Sequence, residues 1–86
     1  MKRPEEIRRE ILLQLYASRP LGLSPERIER DARKQGYDYT DMELERELQF
    51  LTDEGLALEL EVKGTTLKLY RISAPGVRHY ERTFGS

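Results

Sequence analysis

Between Tyr39 and Val62 the chain changes its hydrophobic period across a single glycine, and no other feature restricts the fold as much. Before Gly55 the spacing is helical. Leu44, Leu48 and Leu51 recur at i, i+4 and i+7 and form one apolar stripe. Thr40 followed three residues on by Glu43 reads as a capping box, and Tyr39 and Leu44 have the spacing of a hydrophobic staple. Gly55 ends the helix, since a helix C-terminus favours a left-handed residue. Beyond it the period is two: Leu56, Leu58, Leu60 and Val62 alternate with Ala57, Glu59, Glu61 and Lys63. A helix over residues 40–54 therefore runs into a strand over 56–62 with no linker between them.

The flanking segments read in the same way. Pro4 suits a first helical turn, and Glu5 and Glu6 suit its positive end, so a helix is expected over 4–18. Ile7, Ile11 and Leu15 are its main stripe, and Leu12, Leu13 and Tyr16 widen it past one face. Either the C-terminal segment covers that second face, or part of it is a homodimer surface. Pro20 closes the helix. Ser24-Pro25 opens the next, over 24–35, with Ile28 and Ala32 inward and Gly36 at its end. Lys63-Gly64-Thr65-Thr66 is a hairpin turn, and a second strand is expected over 67–72. Its apolar residues fall on both faces. Either both are covered, or a bulge shifts the frame near Tyr70 and Arg71. Ser73 caps a last helix over 74–82, with Val77 and Tyr80 inward and the end from Thr83 frayed.

The expected class is α+β: three helices, a two-stranded hairpin and a fourth helix, in one domain over residues 1–86. The "R-E-L-Q-F-L-T-D-E-G-L-A" segment, Arg46 to Ala57, resembles the join of recognition helix and wing in MarR-, PadR- and ArsR-type bacterial regulators. Ile72, Ser73, Gly76, Tyr80 and Glu81 fall on the "L-T-x-x-G-x-x-x-L-E" tail that follows the wing in those families. Small winged-helix proteins carried by Mu-like phages are similar in length and layout. The resemblance implies a winged helix-turn-helix, with residues 35–39 as its turn and the hairpin as its wing.

Little in the sequence points to catalysis or to a cofactor. The glycines are scattered and form no phosphate-cradling loop. His79 is the only histidine and there is no cysteine, so a zinc site lacks ligands; His79 reads as an exposed residue of the last helix. Ser24 and Ser73 are occupied as caps. No apolar run approaches the length of a membrane span, and the Met-Lys-Arg-Pro-Glu-Glu start lacks the apolar core of a signal peptide, so a cytoplasmic location is expected. In so small a domain a distinct ligand pocket is not expected.

Two functions from different classes fit. The resemblance implies a regulator that binds double-stranded DNA as a dimer, with helix three in the major groove and the wing on the backbone. Arg46 and Gln49 are then the candidate base readers, and Lys63 and Lys68 on the wing with Arg30 and Lys34 on helix two are the candidate phosphate contacts. The N-terminal Lys2, Arg3, Arg8 and Arg9 form a further basic cluster. Against this, six acids and one arginine lie between Asp41 and Glu54, and the net charge is −1. The basic residues are therefore either a phosphate-holding surface or ordinary cations balanced by neighbours. The second function is a protein-interaction module, docking through Met42, Glu45 and Asp53 on helix three or through Leu13 and Tyr16 on helix one.

Overall fold

The computed structural model describes residues 3–85. Six elements follow one another: α1 (Arg3–Ala17), α2 (Pro25–Lys34), α3 (Asp41–Asp53), β1 (Ala57–Glu61), β2 (Lys68–Ile72) and α4 (Ala74–Thr83). Four helices and one antiparallel hairpin make an α+β arrangement, in an order compatible with a winged helix. The helix ends follow from side-chain chemistry. Ser24 Oγ accepts from the Arg27 amide at 3.2 Å. Thr40 and Glu43 cap one another reciprocally, at 3.1 and 3.0 Å. Ser73 Oγ accepts from the Gly76 amide at 2.9 Å. At the other end of α3, Gly55 has φ 75°, and the Leu56 and Gly55 amides donate to the Leu51 and Thr52 carbonyls. That pair of bonds is a Schellman motif, and it turns the chain straight into β1. The last helix runs one residue further than expected: α4 continues to Thr83, and the Phe84 and Gly85 amides both donate to the Tyr80 carbonyl, while Ser86 lies outside the described residues.

The core is built on α1. Ile7, Ile11 and Leu15 are fully buried with Ile28, Leu44, Leu48, Leu51, Ala57 and Ile72. Each such aliphatic side chain contributes about 1.5–3 kcal/mol by leaving water. The wide second face of α1 is covered from within the chain. Leu12 is buried, and the Tyr16 ring stacks on Tyr80 at 4.3 Å while its hydroxyl donates to Glu81 at 2.7 Å. Of the two alternatives for this face, cover by the C-terminal segment is what the fold shows at Tyr16, which is half-buried against α4. Leu13 remains open, 43% exposed.

The hairpin has no bulge. Its register runs without interruption from Ala57 opposite Ile72 to Glu61 opposite Lys68. Opposed residues of an antiparallel pair share a face. One face therefore carries Ala57, Ile72 and Tyr70 toward the helices, with Glu59, Glu61 and Lys68 at its outer end. The other face carries Leu58, Leu60, Leu69 and Arg71 away from them. A further rung went unforeseen. Leu23 exchanges two backbone hydrogen bonds with Tyr70, both 2.8 Å, and ties the α1–α2 connection to β2.

Candidate nucleic-acid interface

The outward stripe of α3 is Met42, Arg46, Gln49 and Asp53, spaced i, i+4, i+7 and i+11 opposite the buried leucines. All four are exposed, Met42 to 80%. The six acids of this segment do not act together. Glu47 is 1% exposed and accepts from Arg8 Nε at 2.6 Å and Arg46 Nε at 2.9 Å. Glu43 is held by Arg3 of α1 and by its own capping box, and Arg3 also donates to the Asp38 carbonyl at 2.9 Å. The N-terminal arginines thus turn inward and neutralise two acids of α3. Asp41, Glu45, Asp53 and Glu54 remain on its surface.

The bond from Arg3, aided by the Thr40 amide, pulls the Glu43 carboxyl down to about 2. The folded value lies below the unfolded one, so this contribution is present above the ordinary carboxylate range and is lost as pH falls toward 2. Urea denaturation between pH 5 and pH 2 should show an acid-side loss of stability that is smaller in Glu43→Gln. An identical pH profile for the two proteins would refute the coupling.

Each predicted site residue has a definite place. Gln49 Nε2 donates to Asp53 Oδ1 at 2.8 Å, and Arg46, 63% exposed, leans on Glu47. On α2, Arg27, Arg30 and Lys34 gather around Asp31 at 3.7, 4.0 and 3.9 Å, and Arg33 pairs with Glu29. Arg30 and Lys34 are therefore balanced by a neighbour and not held free. The groove between α2 and α3 is acidic, lined by Glu26, Glu29, Asp41 and Glu45. The neighbouring Asp41 raises the pKa of the Glu29 carboxyl. On the hairpin, Lys68 lies 3.4 Å from Glu59, which also accepts from the Tyr70 hydroxyl at 2.9 Å. Burial, followed by that bond, raises Tyr70 to about 12. Lys63 is exposed at the turn and, among the described residues, makes no ion pair. Lys2 lies outside the described residues.

Three features escaped the sequence reading. Glu10 and Glu47 are buried acids, and Glu10 accepts from Gln14 Nε2 at 2.8 Å. The position of Glu47 between Leu44, Leu48 and Leu51 was the available signal: on a helix it falls on the inward face. Phe50 lies under the Arg8 guanidinium, 3.6 Å from the ring centre. An open cleft of about 400 Å³ runs between α1, the end of α3 and α4, lined by Leu12, Phe50, Leu51 and Phe84 with Arg9 and His79. His79 is half-buried there, edge-on to Phe84 at 6.4 Å. Among the described residues no group of three or more acids or histidines is placed to hold a metal ion, and no helix is long and apolar enough to cross a membrane. No family model matches the chain, and comparisons with curated proteins and with solved structures find no match.

Proposed function

We propose that the chain is a winged-helix protein that binds double-stranded DNA and regulates transcription without catalytic activity. In this reading α2 and α3 form the helix-turn-helix and β1–β2 the wing. The observation that carries it is the composition of the α3 ridge. With Glu43 and Glu47 taken inward, Met42, Arg46, Gln49 and Asp53 present one cation, one anion, one amide and one apolar side chain. This stripe, which the exposed Glu45 borders, includes an arginine and a glutamine that suit guanine and adenine in a major groove. Lys68 shares the helix-side face of the hairpin with Tyr70, and Lys63 stands at the turn. The ion pairs that hold Arg30, Lys34 and Lys68 are exposed, and exposed pairs are worth only about 0–1 kcal/mol, so phosphates can displace them.

The test is fluorescence anisotropy with random duplex DNA, titrated across salt. Lys63→Glu with Lys68→Glu should weaken binding at least about tenfold and reduce the log–log salt slope by about 2, the expectation for two lost phosphate contacts. Unchanged affinity and slope would remove the wing from the interface. One observation favours a second reading. Met42 is highly exposed between Asp41 and Glu45, and both candidate base readers are hydrogen-bonded within α3. That surface suits a basic protein partner. Capture of such a partner that is lost on Glu45→Lys with Asp53→Lys, in a chain that binds no DNA even at low salt, would establish this second reading in place of the first.

A further inference from the structure

Glu10 and Glu47 are the buried acids among the described residues, and only Glu47 has cations beside it. Glu10 is 6% exposed, and its one hydrogen-bond donor among the described residues is a neutral amide: Gln14 Nε2 reaches Glu10 Oε2 at 2.8 Å. The second hydrogen of that nitrogen goes to the Ile28 carbonyl at 3.1 Å, so Gln14 has nothing left for Glu10 Oε1. A carboxylate withdrawn from water is costly unless a cation compensates it. Arg9 is adjacent in the chain, but its guanidinium lies over the Phe84 ring, 5.1 Å from the centre.

Glu10 is not sealed in. It lines an open cleft of about 360 Å³ between α1 and the α2–α3 turn, together with Glu6, Arg9, Leu13 and Tyr37. Leu13 is 43% exposed. The Tyr37 ring is half-buried and stacks on Tyr39 at 5.2 Å. Glu6 Oε1 is taken by the Tyr39 hydroxyl at 2.9 Å, which leaves Glu10 as the acid that lacks a charged or strong donor.

We propose that this cleft binds a primary alkylammonium group, with the ammonium on Glu10 Oε1 and the alkyl stem between Leu13 and Tyr37. Three features select that chemistry. Glu10 Oε2 is committed to Gln14, so a guanidinium fork finds no free pair of oxygens, whereas an ammonium needs only one. Two carboxylates are too few to cage a metal, and among the described residues no group of three or more acids or histidines is placed to hold one. An aliphatic and aromatic wall covers an alkyl stem and attracts the cation at its end. The ammonium belongs either to a free amine or to a lysine side chain of a partner. The inference does not rest on DNA binding, because none of these residues lies on α3 or the hairpin.

Butylammonium chloride titrated into the full chain at constant ionic strength, well into the millimolar range, tests it. The amide resonances of Glu10, Leu13 and Tyr37 are the readout. The expected result is a saturable shift that Glu10→Gln weakens at least about tenfold, the effect of losing one charge-assisted hydrogen bond. Glu10→Gln keeps an acceptor for Gln14 and removes a buried charge, so its Tm should equal or exceed that of the parent. Leu13→Lys, one turn along from Glu10, supplies an ammonium from within the chain. It should raise Tm and block butylammonium. Tetramethylammonium has no N–H to donate and should give no saturable shift. Tighter binding of Nα-acetyl-lysine methylamide than of butylammonium would assign the site to a lysine of a partner, and the reverse order to a free amine. No saturable shift with either amine, or equal binding by Glu10→Gln, or equal binding of tetramethylammonium, would overturn the proposal.

Discussion

Gly76→Ala should destabilise the protein by about 3 kcal/mol or more, the upper end of what forced overpacking costs. In an exposed helix interior the same change is favourable by about 1 kcal/mol, because alanine is the better helix former. The sign reverses here because of what α4 rests on. Gly76 is buried in the first turn of α4, and a Cβ there would stand 2.0 Å from the Leu56 carbonyl oxygen and 2.8 Å from Ile72 Cγ1. The first of these is backbone and cannot rotate away. The carbonyl itself is engaged, accepting from the Ser73 amide at 3.1 Å, while Ser73 Oγ donates to the Gly55 carbonyl at 2.5 Å. The start of α4 is thus bonded to the α3–β1 junction at two points, and a methyl group would force it off. For a domain of this length the loss corresponds to a fall in Tm of roughly 12–25 °C. Gly36→Ala provides the comparison. Nothing lies within 4 Å of an added Cβ there, and only the φ of 93° opposes the change, so about 1–2 kcal/mol is expected. Thermal unfolding of the two variants followed by circular dichroism should show the large drop for Gly76→Ala alone. Equal Tm values would mean that α4 is not seated on Leu56.

This glycine also shows where the sequence is legible. Its place in the tail pattern, with Ile72, Ser73, Tyr80 and Glu81, is visible without a structure. The reason for it is not, because the Leu56 carbonyl is twenty residues away in the chain. Caps and periods are local, so the ends of α2, α3 and α4 follow from Ser24, Thr40, Gly36, Gly55 and Ser73. The side on which a strand turns its leucines is set by tertiary packing, and alternation alone cannot say whether Leu58 or Ala57 faces the helices. Ala57 does: it is fully buried opposite Ile72, and the leucines are left outside. The same limit applies to charge. Counting six acids on α3 makes the helix look hostile to DNA. Only the fold shows that Arg3 and Arg8, more than thirty residues away in the chain, neutralise two of them. The cations of α2 stay open in the sequence, either a phosphate-holding surface or cations balanced by neighbours, and in the fold Arg30 and Lys34 share Asp31.

Arg8→Met should cost about 3 kcal/mol, and Glu47→Met should cost little or stabilise. Glu47 is 1% exposed, and Arg8, whose side chain is 30% exposed, is its better-shielded partner at 2.6 Å. Removing Arg8 leaves a carboxylate inside the α1–α3 contact with only the exposed Arg46 beside it. Stranding a buried charge in this way costs about 3–5 kcal/mol, and the remaining bond to Arg46 places the loss at the lower end. Methionine at position 47 removes the charge together with its desolvation cost and retains apolar volume against Leu44, Leu48 and Leu51, a replacement that is often neutral or favourable. The double variant should therefore recover most of what Arg8→Met loses, and the recovery measures the coupling between the two residues. A second effect follows from the proposed DNA interface. Glu47 holds Arg46, so Glu47→Met releases a cation on the outward ridge of α3. Its affinity for random duplex DNA should rise several-fold, with a salt slope steeper by about 1. Urea denaturation reads the first effect and anisotropy the second. Arg8→Met as stable as the parent would show that Glu47 is solvated in solution. Parental DNA affinity in Glu47→Met would show that Arg46 does not contact the DNA.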